Sequence, residues 1–351
     1  MNESLLCLPV YGLSQQDKAS LMLPELHRLT QHHARHCAEY ANLLRAFGVD
    51  PERPPQRLED CFPLAARLFK SHRLKSIPDS QVFKTLSSSG TSGQPSRIFL
   101  DRDNAALQSK VLVRIMQHWL GKQRLPLLIA DHPGVMTDRQ RFSARAAGIQ
   151  GFSFLGRDPC HALRADLSCD LPALLAFVQR YQDQPLLIFG FTAMVWQNLL
   201  PALEAHAIQL PQAILLHGGG WKKLQALAVD NQAFKSRLAR LGIQRVHNYY
   251  GLVEQTGSVF VECEQGHLHA PLFADVLVRD PLQGRVCERG ETGVLQLFSL
   301  LPSSYPGHVL LTEDMGQLLG EDDCRCGRKG RYFQVLGRMD QAEKRGCSDA
   351  Y

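Results

Sequence analysis

No apolar run in the 351-residue sequence approaches the roughly 18–20 residues of a membrane-spanning helix, so none is expected. The first residues, MNESLLCLPVYGLSQQDK, lack a charged n-region and a signal-peptide apolar core, which points to the cytoplasm. Internal repeats and low-complexity linkers are missing as well, which sets aside solenoids and disordered tethers. The net charge is +5, but the lysines and arginines are scattered and form no basic run. Nucleic-acid binding is therefore not expected; the charge serves solvation and an anionic substrate. Ten cysteines in a large cytoplasmic chain do not imply a disulfide framework. With 44% hydrophobic and 21% charged residues, the composition is that of a soluble globular protein of one large α/β domain or two ordinary ones.

The chain is organised around residues 86–99, LSSSGTSGQPSRIF. Small hydroxyl side chains and open backbone N–H groups suit a loop that folds over phosphate oxygens. No Gly-Lys-Ser/Thr closes the loop and no amphipathic helix starts at its end, so it is not a Walker A loop. A β-prone Ile98, Phe99 and Leu100 follow instead. Taken alone, the stretch reads equally well as a Ser/Gly surface turn.

Residues 15–48 carry apolar side chains at helical spacing and end at Gly48, predicting one or two helices. His27, His32, His33 and His36 fall there, and a solvated helix face accounts for them better than a metal site. A short amphipathic helix is expected within 58–70 and another helix over 103–120. Strands at 127–130, 150–155, 186–189 and 213–216 alternate with helices near 138–147, 171–182, 192–206 and 231–241. This order marks a parallel sheet with covering helices, whose ligands bind beyond the carboxyl ends of the strands. Short strands at 245–250, 258–262, 272–278, 293–299 and 308–312 then predict an antiparallel or barrel-like part.

Three further stretches carry chemistry. In VHNYYGLVEQTGSVF, Tyr250-Gly251 ends a strand and Glu254 follows, an aromatic for a flat ring and a carboxylate for Mg²⁺. In LLTEDMGQL, Asp314 follows a strand and suits two ribose hydroxyls. LGRMDQAEKRG is a turn carrying Arg338, Asp340 and Lys344. Each alone would pass as a strand end or a charged turn.

In this order SSGTSGQP, YGLVE, TED and GRMD resemble the phosphate loop, aromatic-Gly-x-x-Glu motif, ribose aspartate and hinge of the adenylate-forming superfamily: acyl-CoA synthetases, adenylation domains and luciferases. The closer resemblance is to its acyl-protein synthetase (LuxE) branch, related to the phenylacetate–CoA ligases. It rests on LFK before the loop, SSSGTSGQPSRIFLD, NYYGLVEQTGS and an end just past RGCS, and spans nearly the whole chain. The resemblance implies the superfamily's large α/β domain over 1–337, with an α/β part to about 245 and a β-rich part over 246–337. Residues 338–351 would be a hinge remnant and short tail, the small C-terminal domain being essentially absent.

By the same resemblance Ser88, Ser89, Gly90, Thr91, Ser92 and Gly93 would wrap the β- and γ-phosphates of ATP, and Gly218, Gly219 and Gly220 would line the adenine and acyl site. Tyr250, beside Gly251, would stack near adenine, Glu254 would bind Mg²⁺, Asp314 and Arg338 would hold the ribose, and Asp340 would mark the hinge. Superfamily members often carry Lys after the loop proline, whereas Ser96-Arg97 follows Pro95 here. Arg97 offers its charge one position later, with a fork geometry unlike an ammonium.

The lysine that a rotating C-terminal domain brings to the substrate carboxylate has no counterpart here unless Lys344 substitutes. In acyl-protein synthetases a cysteine near the C-terminus receives the acyl group, and the matching residue is Cys347. The chemistry agrees, because a thiolate is the natural nucleophile for the mixed anhydride of an acyl adenylate. Lys344 and Arg345 beside Cys347 favour that thiolate. The implied activity is an ATP-dependent acid–thiol ligase: a fatty acid is converted to acyl-AMP, then to a thioester on Cys347 for a partner acyl reductase. A phenylacetate-type CoA ligase with Cys347 incidental, and an ATP-binding subunit without turnover, are the alternatives.

Cys263 and His269 in CEQGHLH, with Cys324 and Cys326 about sixty residues on, form a ligand-like set for a structural Zn²⁺. His267 competes with His269 as the fourth ligand, and unmetallated thiols near a turn are the plain alternative. Such clusters recur among phenylacetate–CoA ligase relatives.

Overall fold

A computed structural model of the chain describes residues 3–88, 95–136, 144–221 and 228–339. In chain order the strands are β1 (Leu64–Ala65), β2 (Lys84–Ser87), β3 (Arg97–Leu100), β4 (Leu125–Ile129), β5 (Gly156–His161), β6 (Leu186–Phe191) and β7 (Ala213–Gly218). They continue with β8 (Arg245–Tyr250), β9 (Phe260–Glu262), β10 (Leu268–His269), β11 (Ala274–Arg279), β12 (Thr292–Ser299), β13 (Val309–Glu321) and β14 (Arg331–Arg338). The described residues fall into two compact units, 3–115 with 251–339, and 116–250. Among them no helix is long and apolar enough to cross a membrane.

The second unit is the expected parallel α/β part. Its strands pair in the order β5-β4-β6-β7-β8, all parallel. Strands buried on both faces read as unbroken apolar runs, here LLIF and AILL. Helix Leu171–Tyr181 starts on Asp170, which accepts from the Ala173 amide, and helix Asn231–Ala239 starts on Asp230, which accepts from Ala233. Their apolar stripes place Leu174, Phe177, Phe234 and Leu238 in one core with Ile188 and Leu215. The strand expected at 150–155 is instead the end of helix Ala144–Ser153, and β5 follows it. Ala146, Ile149 and Phe152 recur at helical spacing and are buried, Phe152 against Phe189 with centroids 5.0 Å apart. Short apolar runs do not distinguish strand from helix, and packing decides.

The first unit holds an antiparallel sheet in the order β11-β12-β13-β14-β10-β9. β1 joins β13 in parallel, and β2 and β3 form a separate antiparallel pair. The helix expected within 58–70 is broken by Pro63 into a 3₁₀ turn Leu58–Asp60, β1, and the one-turn helix Leu68–Ser71.

Helix Gln15–His36 buries Gln15, Lys18, Met22, Leu26, Leu29 and His33, a continuous stripe at intervals of three and four. The expectation of a solvated histidine face is therefore wrong for His33, which this spacing carries into the core. Its Nδ1 accepts from Ser76 Oγ at 2.7 Å and its Nε2 donates to the Pro302 carbonyl at 3.1 Å. The buried His308 ring lies 5.0 Å from it, with Nε2 2.9 Å from Thr30 Oγ1. Burial lowers both imidazoles, His308 to about 3 and His33 well below its ordinary value. Both stay neutral in the fold, while the unfolded chain takes up protons below about pH 6.5. Stability contributed by these rings is therefore complete above that pH and lost as pH falls toward their folded values. Between pH 7 and pH 5 each ring is expected to remove ~2 kcal/mol, at ~1.4 kcal/mol per pH unit. Urea midpoints at the two pH values test this, and His308→Asn should flatten the slope; an unchanged slope would refute the assignment.

Candidate active site

Within the first unit the base of the Ser/Gly loop is closed by two bonds. The Ser96 amide donates to Ser88 Oγ at 2.9 Å and the Ser88 amide donates to the Ser96 carbonyl at 3.1 Å. Ser89, Gly90, Thr91, Ser92 and Gly93 lie outside the described residues. Ser96 is fully buried, whereas Arg97 is exposed. Arg97 opens strand β3 and is its one exposed residue.

Ser96 faces Glu254, which sits on the buried 3₁₀ turn Val253–Gln255 just after the Tyr250-Gly251 step. Gln255 fastens that turn, its Nε2 donating to the carbonyls of Leu297 and Gly307 at 3.2 and 2.9 Å. Gly257, at φ +88°, presses on helix Arg102–Leu120 so closely that a Cβ would lie 2.7 Å from the Gln108 carbonyl. Burial raises the Glu254 carboxyl above its ordinary value; Ser96, the local amide and Lys70 pull it down, and Asp314 pushes it up. Asp314 pairs across the β13–β14 ladder with Arg338, Nε to Oδ1 3.4 Å. Ser96 and Asp314 thus both act on Glu254, and Asp314 brings in Arg338. Lys70, noted in the sequence only as part of LFK, is a functional candidate that motif reading missed. Asp340, Lys344 and Cys347 lie outside the described residues.

In the second unit Gly218 ends β7 and Gly219 and Gly220 follow it, with Gly219 at φ +83° and Gly220 at φ +57°. Side chains there would collide with aromatic rings. A Cβ on Gly218 would lie 2.7 Å from Tyr249, and one on Gly219 2.6 Å from Phe191. Thr192 Oγ1 donates to the Gly218 carbonyl at 3.1 Å and holds the start of the turn. Tyr250, half-buried, ends the neighbouring strand β8, and Gly251 is exposed.

Cys263, His269, Cys324 and Cys326 come together, one ligand atom from each lying within 4.8 Å of all the others. Cys263 and Cys324 sulfurs are 3.9 Å apart, and Cys326 Sγ is 3.3 Å from His269 Nε2. A tetrahedron with metal–sulfur and metal–nitrogen bonds of about 2.3 and 2.1 Å has edges of roughly 3.5–3.8 Å, and these two separations lie close to that range. Without a cation, burial pushes the Cys263 thiol up to about 12. His267 lies two residues before His269, its Nδ1 3.4 Å from Cys324 Sγ, and Tyr332 stacks on both rings. The role of Tyr332 was not legible from spacing.

The fold is that of the adenylate-forming ligases. 2-Hydroxyisobutyryl-CoA ligase, solved in an open conformation with 2-HIB-AMP and CoA, superposes with a TM-score of 0.71 at 17% identity, over 94% of this chain and 77% of that one. The same ligase in its postadenylation state with 2-HIB-AMP gives 0.70 at 16%, over 94% and 70%. The amide bond synthetase McbA of Marinactinospora thermotolerans gives 0.50 at 15%, over 86% and 58%. At these identities the likeness is one of fold. Among curated proteins none matches the sequence significantly. Residues 5–351 match the family described as acyl-protein synthetase, LuxE, and the chain belongs to that family. It is an acid ligase of the adenylate-forming class.

Proposed function

We propose that this chain activates a fatty acid with Mg·ATP and carries the acyl group as a thioester on its own Cys347 for a partner reductase. The carboxylate oxygen attacks the α-phosphorus, the bond to pyrophosphate breaks and acyl-AMP forms. The Cys347 thiolate then attacks the acyl carbon, the C–O bond to phosphate breaks and AMP leaves. Glu254 holds Mg²⁺, which neutralises phosphate charge, while Asp314 and Arg338 hold the ribose and the Ser88–Gly93 loop the phosphates. Gly218, Gly219, Gly220 and Tyr250 serve the adenine and acyl group, and Lys344 approaches the carboxylate. The observation that carries the reading is the grouping of Ser96, Glu254 and Asp314, from three separated motifs, in a chain of this family. The test is intact-protein mass after incubation with Mg·ATP and straight-chain fatty acids. An acyl mass gain labile to hydroxylamine is expected; AMP formed only when CoA is added would make the chain a CoA ligase instead.

A structural zinc on Cys263, His269, Cys324 and Cys326 belongs to the same reading. Its support is the clustering of four donors, three of them buried, with the Cys263–Cys324 and Cys326–His269 separations near tetrahedral edges. Purified protein is expected to hold about one zinc per chain, and Cys263→Ser to lose it by elemental analysis. Zinc at a hundredfold above its dissociation constant contributes ~2.7 kcal/mol, so the variant should melt several degrees lower. Zinc-free wild-type protein of unchanged melting temperature would contradict this.

A further inference from the structure

Lys70 lies in the one-turn helix Leu68–Ser71, with its ammonium 3.4 Å from Glu313 Oε2. Its backbone is fixed on two sides. The preceding strand β1 runs parallel to β13, and the Ala66 amide donates to the Leu311 carbonyl at 2.9 Å. Phe69 is fully buried and meets Tyr305 edge-on, with centroids 5.9 Å apart. Tyr305 in turn packs on Gly307, where a Cβ would lie 2.4 Å from the Tyr305 ring and 2.6 Å from the Glu254 carbonyl. The chain of contacts Phe69–Tyr305–Gly307–Glu254 therefore carries the position of Lys70 to the turn of Glu254.

A partly exposed Lys–Glu pair contributes little to stability, so structure alone gives weak reason for a lysine at this place. The loop supplies no ammonium: no lysine stands between Ser87 and Arg97, and Arg97 is an exposed guanidinium at the start of β3. Glu313 immediately precedes Asp314, and the Lys70 charge is felt at Glu254. The ammonium thus pairs with Glu313 and acts on Glu254, the carboxylate on which Ser96 at the base of the loop also acts.

We propose that Lys70 is the catalytic cation of the adenylation step, contacting the β- and γ-phosphates and offsetting the charge that builds on departing pyrophosphate as its bond to the α-phosphorus breaks. This rests on the adenylation reading given above. A compact, mobile ammonium suits a leaving group whose charge shifts during reaction, and a group aimed at developing charge acts mainly on the transition state. Glu313 is its anchor.

The test is ATP–pyrophosphate exchange by the full chain with a fatty acid, comparing wild type with Lys70→Met, Lys70→Arg and Glu313→Gln. Lys70→Met is expected to lower kcat/KM for ATP by ~100-fold, with the KM for the fatty acid little changed. Lys70→Arg should recover part of the loss, and Glu313→Gln should lose less than tenfold. Urea midpoints of the four proteins should agree; Lys70→Gln repeats the comparison if the methionine variant precipitates. Exchange by Lys70→Met within threefold of wild type overturns the proposal, as does a Glu313→Gln loss as deep as that of Lys70→Met. Absence of exchange in the wild type is a different outcome, because it removes the adenylation reading itself.

Discussion

The Glu254→Gln protein is expected to lose about a thousandfold in ATP–pyrophosphate exchange, ~4 kcal/mol of transition-state stabilisation, and with it the acyl-enzyme. Cys347→Ser should keep the exchange and lose the hydroxylamine-labile mass gain altogether. The two variants separate the steps because each removes one bonding partner. Glutamine copies the shape of Glu254 but not its negative charge, which is the property a magnesium ligand beside phosphates needs. Its fold should survive, since burial already favours the neutral form of that side chain. Serine at 347 is a far weaker nucleophile than a thiolate at neutral pH. Radiolabelled pyrophosphate exchange and intact mass read the two steps independently. Exchange by Glu254→Gln within threefold of wild type would remove Glu254 from the chemistry, and an unchanged mass gain in Cys347→Ser would move the acyl acceptor elsewhere.

Asp275→Asn is expected to destabilise the first unit by ~3–5 kcal/mol, the cost of leaving a buried cation without its partner. Asp275 and Lys18 are almost wholly shielded from solvent, and Lys18 Nζ lies 3.5 Å from Asp275 Oδ2. The same carboxylate accepts from Gln15 Nε2 at 2.7 Å and from the Val276 amide at 2.8 Å, while Arg331 stands 3.8 Å away. Burial opposes the charge on Asp275, but Lys18 and Arg331 together with the Gln15 and Val276 hydrogen bonds outweigh it and hold the carboxyl below its ordinary range. Burial lowers Lys18 in turn. The group joins the first long helix to β11 and β14, so its loss should also loosen the strand that carries Arg338. Urea midpoints at pH 7 measure the effect, and Lys18→Met with Asp275→Leu should recover much of it by removing both charges together. A single-variant loss below ~1 kcal/mol would mean that water reaches the pair.

Glycine-punctuated apolar runs made the parallel part of the fold legible, and β8 falls on its expected residues, 245–250. β14 was hidden because its charged ends and Gly337 look like a turn; only pairing with β13 and β10 shows why Tyr332 and Phe333 are buried. For the Cys/His group, spacing identified the residues but not the choice between His267 and His269. That choice depends on β10 pairing with β14, a long-range contact with no local signal. Lys70 was overlooked for a related reason: the chemistry of a lone lysine is defined by what the fold sets beside it.

The antiparallel pairing of β13 with β14 brings Arg338 back beside Asp314. Cys347 stands nine positions beyond Arg338, and nine residues span at most ~30 Å at about 3.4 Å each. Whatever path the chain takes, Cys347 is tethered within about that radius of Arg338, the partner of Asp314. Its local concentration there is set by the tether, in the millimolar range for short links. Under the proposed acyl transfer, a thiol held in this way would meet each acyl adenylate as a unimolecular partner, and its acylation would be first order and indifferent to dilution. A free thiol acceptor in solution must reach comparable concentrations to compete.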